Sequence, residues 1–103
     1  MITPILIAAL LQTAAINSQR DKFLSCLDRG TTSAQAQKMP ADAVEAHLRQ
    51  TCAAAEASLE GSLIAFDVKN KVARKQAAAD ARLQTSDFLS SSVARYKPAA
   101  AAK

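Results

Sequence analysis

Residues 39–66 read MPADAVEAHLRQTCAAAEASLEGSLIAF, and this stretch decides the fold. Its larger apolar side chains recur at steps of three and four residues, the repeat of one face of an α-helix. Pro40 suits a first helical turn because its missing N–H has no partner to lose there, and Asp42 complements the helix dipole. We therefore predict one helix from Pro40 through Phe66. Its predicted buried face comprises Val44, Leu48, Cys52, Ala55, Leu59, Leu63 and Phe66, and its charged residues mostly face water: Glu45, Arg49, Glu56 and Glu60.

The two cysteines lie on the apolar sides of two predicted helices. Cys52 is in the middle of the face just described, and Cys26 belongs to the apolar cluster Phe23, Leu24, Cys26 and Leu27. If the two helices pack antiparallel, a bridge between Cys26 and Cys52 is geometrically reasonable and contributes roughly 3–4 kcal/mol through loop closure. The alternative is two buried free thiols, which are common core residues. The compartment decides between these two readings.

The first 19 residues carry no charged side chain, and Ile5–Leu11 is an unbroken apolar run. Thr13–Ala15 offers small residues at the positions that a signal peptidase reads, so we predict a secretory signal peptide over residues 1–15. No Lys or Arg precedes the apolar run, which departs from the usual pattern. The run is shorter than the roughly 20 apolar residues of a membrane span. An uncleaved anchor and a buried N-terminal helix are the alternatives.

The remaining chain of about 88 residues is one small domain. At that size the apolar core is marginal, and a disulfide is a usual supplement in exported proteins. Export, an even number of cysteines and burial of both agree with one another. We therefore predict a Cys26–Cys52 disulfide in a periplasmic or secreted protein.

The first helix of this domain is expected over Gln19–Arg29, with Ser18 as its N-cap. Gly30 can close or loosen it, and residues 34–38 are expected to be a connector.

The apolar pattern continues beyond Phe66, and no Gly or Pro stands between Ser62 and Lys97. A single helix from Pro40 to Lys97 would be about 85 Å long, more than one short partner helix can cover. We favour a turn near Asp67–Lys71, where Asn70 can adopt a left-handed conformation, although a continuous helix is the alternative. The expected apolar stripe of the third helix comprises Val68, Val72, Ala79, Leu83, Leu89, Val93 and Tyr96.

Positive charge is concentrated in the last third of the chain. Residues 67–103 carry eight basic and three acidic side chains, whereas residues 16–66 carry five basic and six acidic ones. Lys71, Lys75 and Arg82 are expected to share one helical face beside the apolar stripe. Such a face can contact an anionic membrane surface or an acidic partner, although a solvated face is the commoner outcome. The candidate contact residues are Lys69, Lys71, Arg74, Lys75 and Arg82.

Other functional classes find little support in the sequence. Aromatic side chains that could stack on bases do not interleave with the basic ones, so we expect no nucleic-acid binding. The lone His47 has no neighbouring ligands at metal-site spacing, and no nucleophile motif or phosphate loop occurs. We predict no catalytic residue, no metal and no cofactor, and hence a non-enzymatic protein.

Three blocks carry a family resemblance: residues 19–27, the lone Cys52 after a proline-started helix, and residues 66–75. They resemble a group of small exported two-cysteine helical proteins of Gram-negative bacteria, a group with no assigned activity. The resemblance implies an envelope location and a Cys26–Cys52 pair. Members of that group often have a glycine between Asp67 and Arg74, where this chain has Asn70 and Lys71.

These observations predict an all-α fold, a disulfide-stapled helical hairpin or three-helix bundle. Its parts are a signal peptide (residues 1–15), a helical domain (residues 16–97) and a disordered tail (residues 98–103). The expected function is binding of an unknown protein or envelope component. The alternative is a peripheral protein that uses its basic C-terminal helix on an anionic membrane surface.

Overall fold

The computed structural model describes residues 4–98 of the chain, with side chains from residue 13 onward. Four helices make up this part, which contains no strand: α1 (Pro4–Ala36), α2 (Ala41–Thr51), α3 (Ala53–Lys69) and α4 (Arg74–Arg95). The predicted all-α class is confirmed. The predicted hairpin or three-helix bundle is wrong in its number of helices, because the helix expected from Pro40 to Phe66 is divided into α2 and α3.

The division falls at Cys52, whose backbone angles (φ −107°, ψ 16°) leave the helical region. Hydrogen bonding nevertheless continues through the junction. The Cys52 N–H donates to the Leu48 carbonyl, and the Cys52 carbonyl accepts from the Glu56 N–H, each at 2.9 Å. The predicted apolar face therefore survives the division. Val44, Leu48, Cys52, Leu59 and Leu63 are buried, and Ala55 and Phe66 are half-buried.

Helix α1 is longer at both ends than the sequence indicated. Ser18 is an interior residue and not an N-cap, and the helix passes through Gly30 and continues to Ala36. Gly30 is buried against α2, where an added Cβ would lie 2.5 Å from the Leu48 Cδ2 atom. The glycine thus permits a close approach of two helices and does not end one. The expected connector at residues 34–38 is wrong for residues 34–36, which belong to α1, where Ala34 is fully buried. Residues 37 and 38 lie in the turn before α2, as expected.

Two helices end in the same way, with a lysine in the left-handed region. Lys38 (φ 56°) follows α1 and Lys71 (φ 70°) follows α3. After α1 the Met39 N–H donates to the Ala34 carbonyl, and after α3 the Val72 N–H donates to the Asp67 carbonyl, both at 2.9 Å. These bonds are those of the Schellman motif, which usually has glycine at the left-handed position.

The turn expected near Asp67–Lys71 is confirmed, because α3 ends at Lys69 and α4 begins at Arg74. The left-handed residue is Lys71 and not Asn70, whose φ is −93°. The Asn70 side-chain amide instead donates to the Phe66 carbonyl at 2.8 Å and occupies one of the last acceptors of α3.

The core lies where α1 packs on α2 and α3, and it is closed on another side by α4. Its largest fully buried side chains include Phe23, Leu27, Val44, Leu48 and Leu59. The Phe23 ring meets the half-buried Phe88 ring of α4 edge-on, with centroids 6.4 Å apart. Such edge-to-face pairs add to the stabilisation that comes from apolar burial.

The Cys26–Cys52 disulfide is present and joins α1 to the α2–α3 junction, with the two Cα atoms 5.8 Å apart. Both predicted partners are confirmed, and neither cysteine is free. Disulfides persist in oxidising compartments, so the bridge indicates a location outside the cytoplasm.

The end of α4 is tied to the α1–α2 turn. The buried Tyr96 donates its hydroxyl to the Met39 carbonyl at 2.7 Å, and the Gln35 side-chain amide donates to the Lys97 carbonyl at 3.2 Å. Of the predicted C-terminal tail, only Pro98 falls within the described residues, and residues 99–103 lie outside them.

Candidate binding surface

Helix α4 has one side in the core and one side in solvent, and the sequence assigned Ala79 and Leu83 to the wrong side. The buried row consists mainly of small or polar residues: Ala77, Ala81, Thr85, Leu89 and Ser92. Leu83 is 62% exposed, the one large apolar side chain left so exposed in the described part of the chain. At 100° per residue, Leu83 points away from the neighbouring buried positions Ala81 and Thr85.

The predicted third-helix stripe is therefore wrong in its first half. Val68 belongs to α3 and Val72 to the turn, so neither continues into α4. The turn resets the helical register, and Ala79 and Leu83 consequently face solvent. The second half of the stripe is confirmed: Leu89 and Tyr96 are buried and Val93 is half-buried.

We call the solvent side of α4 the α4 outer face, and its central row has Leu83 as its one large apolar member. The row comprises Gln76, Ala79, Leu83, Ser86 and Ser90. Charged residues of opposite sign flank it: Lys75 and Arg82 on one side, Asp80 and Asp87 on the other.

Within residues 13–98 none of these four charged side chains forms an ion pair; the ion pair found there joins Arg49 to Glu45 at 3.2 Å on α2. Asp80 accepts a hydrogen bond from the Gln76 side-chain amide at 2.8 Å. The charges of the α4 outer face are thus left available to a group from outside the molecule.

A second concentration of charge lies at the α3–α4 turn. Lys69, Lys71, Arg74 and Lys75 are all exposed there, and none makes a side-chain hydrogen bond or ion pair with another described residue. The expectation that Lys71, Lys75 and Arg82 share a helical face is wrong for Lys71, which stands in the turn outside α4. Lys75 and Arg82 do share a flank, two helical turns apart.

A buried polar contact between α3 and α4 was missed in the sequence. Thr85 is fully buried, and its hydroxyl donates to the Glu60 carboxylate at 2.7 Å, with a Glu56 carboxylate oxygen 3.3 Å away. Glu56 and Glu60 are accordingly half-buried and do not simply face water as expected. Their i,i+4 spacing gives them a common direction, but nothing in the sequence indicated that a threonine of α4 would meet them.

The remaining chemically active side chains do not assemble into a site. His47 is half-buried, and its buried Nε2 atom has no hydrogen-bond partner among the described residues. In that same part of the chain, no three histidine, cysteine or carboxylate side chains are close enough to hold a metal ion. A shallow open cleft of about 150 Å³ lies between α1 and the end of α4, bordered by Asp28 and Arg95.

Within residues 4–98, no helix combines the length and the apolarity that a membrane crossing needs. Comparisons with models of protein families, with curated proteins and with solved structures give no match to this chain.

Proposed function

We propose that this chain is an exported, non-enzymatic helical binding protein, located in the periplasm or secreted, that presents the α4 outer face to a protein partner. The observation that carries the proposal is Leu83, exposed among charged side chains that have no ionic partner within the described residues. An apolar side chain surrounded by charged ones has the arrangement of a protein–protein contact, which has an apolar centre and a polar rim.

The rest of the fold supports a role as a scaffold for that face. The disulfide fixes α1 against the α2–α3 junction, and the Tyr96–Met39 hydrogen bond ties the end of α4 to the α1–α2 turn. A helix whose backbone is already fixed loses little backbone conformational entropy on binding. Both cysteines are consumed by the bridge, so neither is available as a thiolate nucleophile.

Export rests on the predicted signal peptide and on the disulfide, and the resemblance to small exported two-cysteine proteins gives the same expectation. Thr13–Ala15 are exposed, and the first buried side chain of the described part is Ile16. Cleavage after Ala15 would therefore leave every described core residue in the chain. The apolar run Ile5–Leu11 precedes the residues whose side chains the structure describes.

Intact-mass analysis of protein from the native host should show the loss of about 15 residues, and recovery of the uncleaved chain from membranes would contradict this part of the proposal.

The binding role is tested by placing a photo-crosslinking residue at position 83 in the native host. The matched control is the same replacement at Gln50, which is exposed on α2. We expect protein adducts from position 83 and few from position 50, with their masses identifying the partner. Equal yields from the two positions, or none from position 83, would refute the α4 outer face as the binding surface.

A second candidate function is contact with an anionic membrane surface through the α3–α4 turn. Lys69, Lys71, Arg74 and Lys75 are gathered there without internal ionic partners, and each basic residue near such a surface adds about 1 kcal/mol of attraction. If α4 lay with its outer face on that surface, Asp80 and Asp87 would also meet it. Binding to anionic vesicles that weakens with added salt, and that Lys71→Glu reduces, would favour this candidate over the first.

A further inference from the structure

The basic and acidic residues on the flanks of the α4 outer face follow one another at a regular spacing. The basic residue that precedes Asp80 most closely is Lys75, the one that precedes Asp87 most closely is Arg82, and both separations are five residues. Ion pairs within one helix form at separations of three or four, and Asp80 and Asp87 have no basic residue at either distance. The spacing therefore does not serve pairing within α4.

A separation of five is the spacing of ion pairs between two parallel helices. In a heptad register, the a and d positions form the seam between two helices. With Leu83 at position a, the other seam positions on the α4 outer face are Gln76, Ala79, Ser86 and Ser90. The next d position, Val93, packs against the core of its own chain. Lys75 and Arg82 then occupy g positions, and Asp80 and Asp87 occupy the e positions of the next heptads. Each g residue of one parallel helix faces the following e residue of its partner, and charges at these positions set partner and orientation.

We infer that the partner of the α4 outer face is a second copy of this chain, packed with α4 parallel to α4 around a two-fold axis. This inference rests on the proposed binding role of that face. In this arrangement Lys75 pairs with the copy's Asp80 and Arg82 with the copy's Asp87, and the symmetry makes each pair twice. The two Leu83 side chains meet at the centre, and the small seam residues let the helices approach closely.

The orientation follows from the same charges. In an antiparallel symmetric pair, the basic flank of one helix would face the basic flank of the other, and the acidic flanks would also meet. Like charges in contact destabilise a pair, so the flanks select the parallel arrangement. An anionic surface fits less well, because it would face Asp80 and Asp87.

The dimer is expected to be reversible and dependent on concentration and salt. Its seam holds one large apolar side chain per chain, whereas stable interfaces bury roughly 800 Å² of surface per partner. The disulfide-linked core lies on the other side of α4 and is complete without the copy.

The test is sedimentation equilibrium of the purified oxidised chain with single and paired charge reversals. Arg82→Glu and Asp87→Arg should each weaken association about tenfold, since the symmetry applies each change twice. The double variant Arg82→Glu with Asp87→Arg should return to within about threefold of the original chain. Lys22 is an exposed residue of α1, away from the α4 outer face. Lys22→Glu changes the net charge by as much as Arg82→Glu does, and it should have little effect on association.

Cross-linking fixes the orientation independently. Ser90→Cys should form a disulfide between copies, because position 90 meets its own counterpart only in the parallel arrangement. Gln84→Cys is exposed on the same helix but off the seam, and it should link far less.

Three outcomes would overturn the inference: a chain that stays monomeric at every attainable concentration, association that the charge reversals leave unchanged, or tighter association of Arg82→Glu. The last result would indicate antiparallel packing. If the purified chain is monomeric while position 83 cross-links to a different envelope protein, the proposed binding function stands and the second copy is rejected. A chain that neither associates with a second copy nor cross-links to another protein from position 83 would reject the inference and the proposed function together.

Discussion

Helix α4 and the contact between α1 and α2 hold the bundle by different means. In α1 and α2, Phe23, Leu27 and Leu48 are fully buried, and a disulfide joins α1 to the end of α2. Helix α4 buries mainly Ala, Thr and Ser, and its one large exposed apolar side chain points outward. This contrast between the two sides of α4 is the basis of the proposal that the helix has a partner outside the molecule.

The largest expected effect concerns the ring pair that joins these two regions. Phe23→Ala should lower the free energy of unfolding by about 3–5 kcal/mol, because it leaves a cavity at a fully buried position. Phe88→Ala removes the other ring of the pair from the half-buried α4 side and should cost clearly less. Denaturant unfolding of both variants measures the difference. Equal losses would mean that α4 contributes to the core as strongly as α1.

Removal of the disulfide should have the next largest effect. The bridge closes a loop of 26 residues, for which chain entropy gives a loss of about 3–4 kcal/mol in the Cys26→Ala, Cys52→Ala double variant. Most of the helix content should survive, since the apolar core remains. The oxidised chain should be about 2 Da lighter than the reduced one. Titratable thiols in protein recovered from an oxidising compartment would contradict the bridge.

A smaller effect separates two glycines that sequence alone treats alike. An added methyl group at Gly61 meets open space, so Gly61→Ala should stabilise the protein by about 0.5–1 kcal/mol through helix propensity. At Gly30 the methyl group would press on Leu48 in the core, so Gly30→Ala should destabilise by about 1 kcal/mol. Thermal unfolding of the two variants side by side measures the contrast. Stabilisation by both substitutions would mean that α1 and α2 approach less closely than the structure has them.

The parts of the fold that could be predicted from the sequence are those where a periodic pattern of large side chains acts alone. The apolar face around Cys52 is such a pattern, and five of its seven members are buried as expected. The bridge followed from two cysteines on apolar faces in a chain that was predicted to be exported. The turn before α4 followed from the length that a continuous helix would have reached.

The predictions that were wrong concern residue types that can take more than one structural role. From the sequence, Gly30 could close or loosen the first helix, but the close approach of Leu48 requires a glycine inside α1. Ala79 and Leu83 extended the stripe of α3 only as long as the helix was continuous, and the four-residue turn changed the register. The burial of Thr85 could not be predicted from its own position in the sequence, because its hydroxyl needs a carboxylate acceptor from another helix.

The smallest expected effect concerns Leu83. Replacement of an exposed leucine by another good helix former changes no packing, so Leu83→Gln should leave the free energy of unfolding within about 0.5 kcal/mol. The measurement belongs at low protein concentration, where association of chains does not contribute to stability.

Leu89→Gln, six residues further along α4, is the matched variant on the core side. It should cost about 3 kcal/mol or more, because it removes apolar contacts and buries an amide without partners. A large loss from Leu83→Gln under these conditions would place Leu83 in the core, and the contrast between the two sides of α4 would then be lost together with the binding surface built on it.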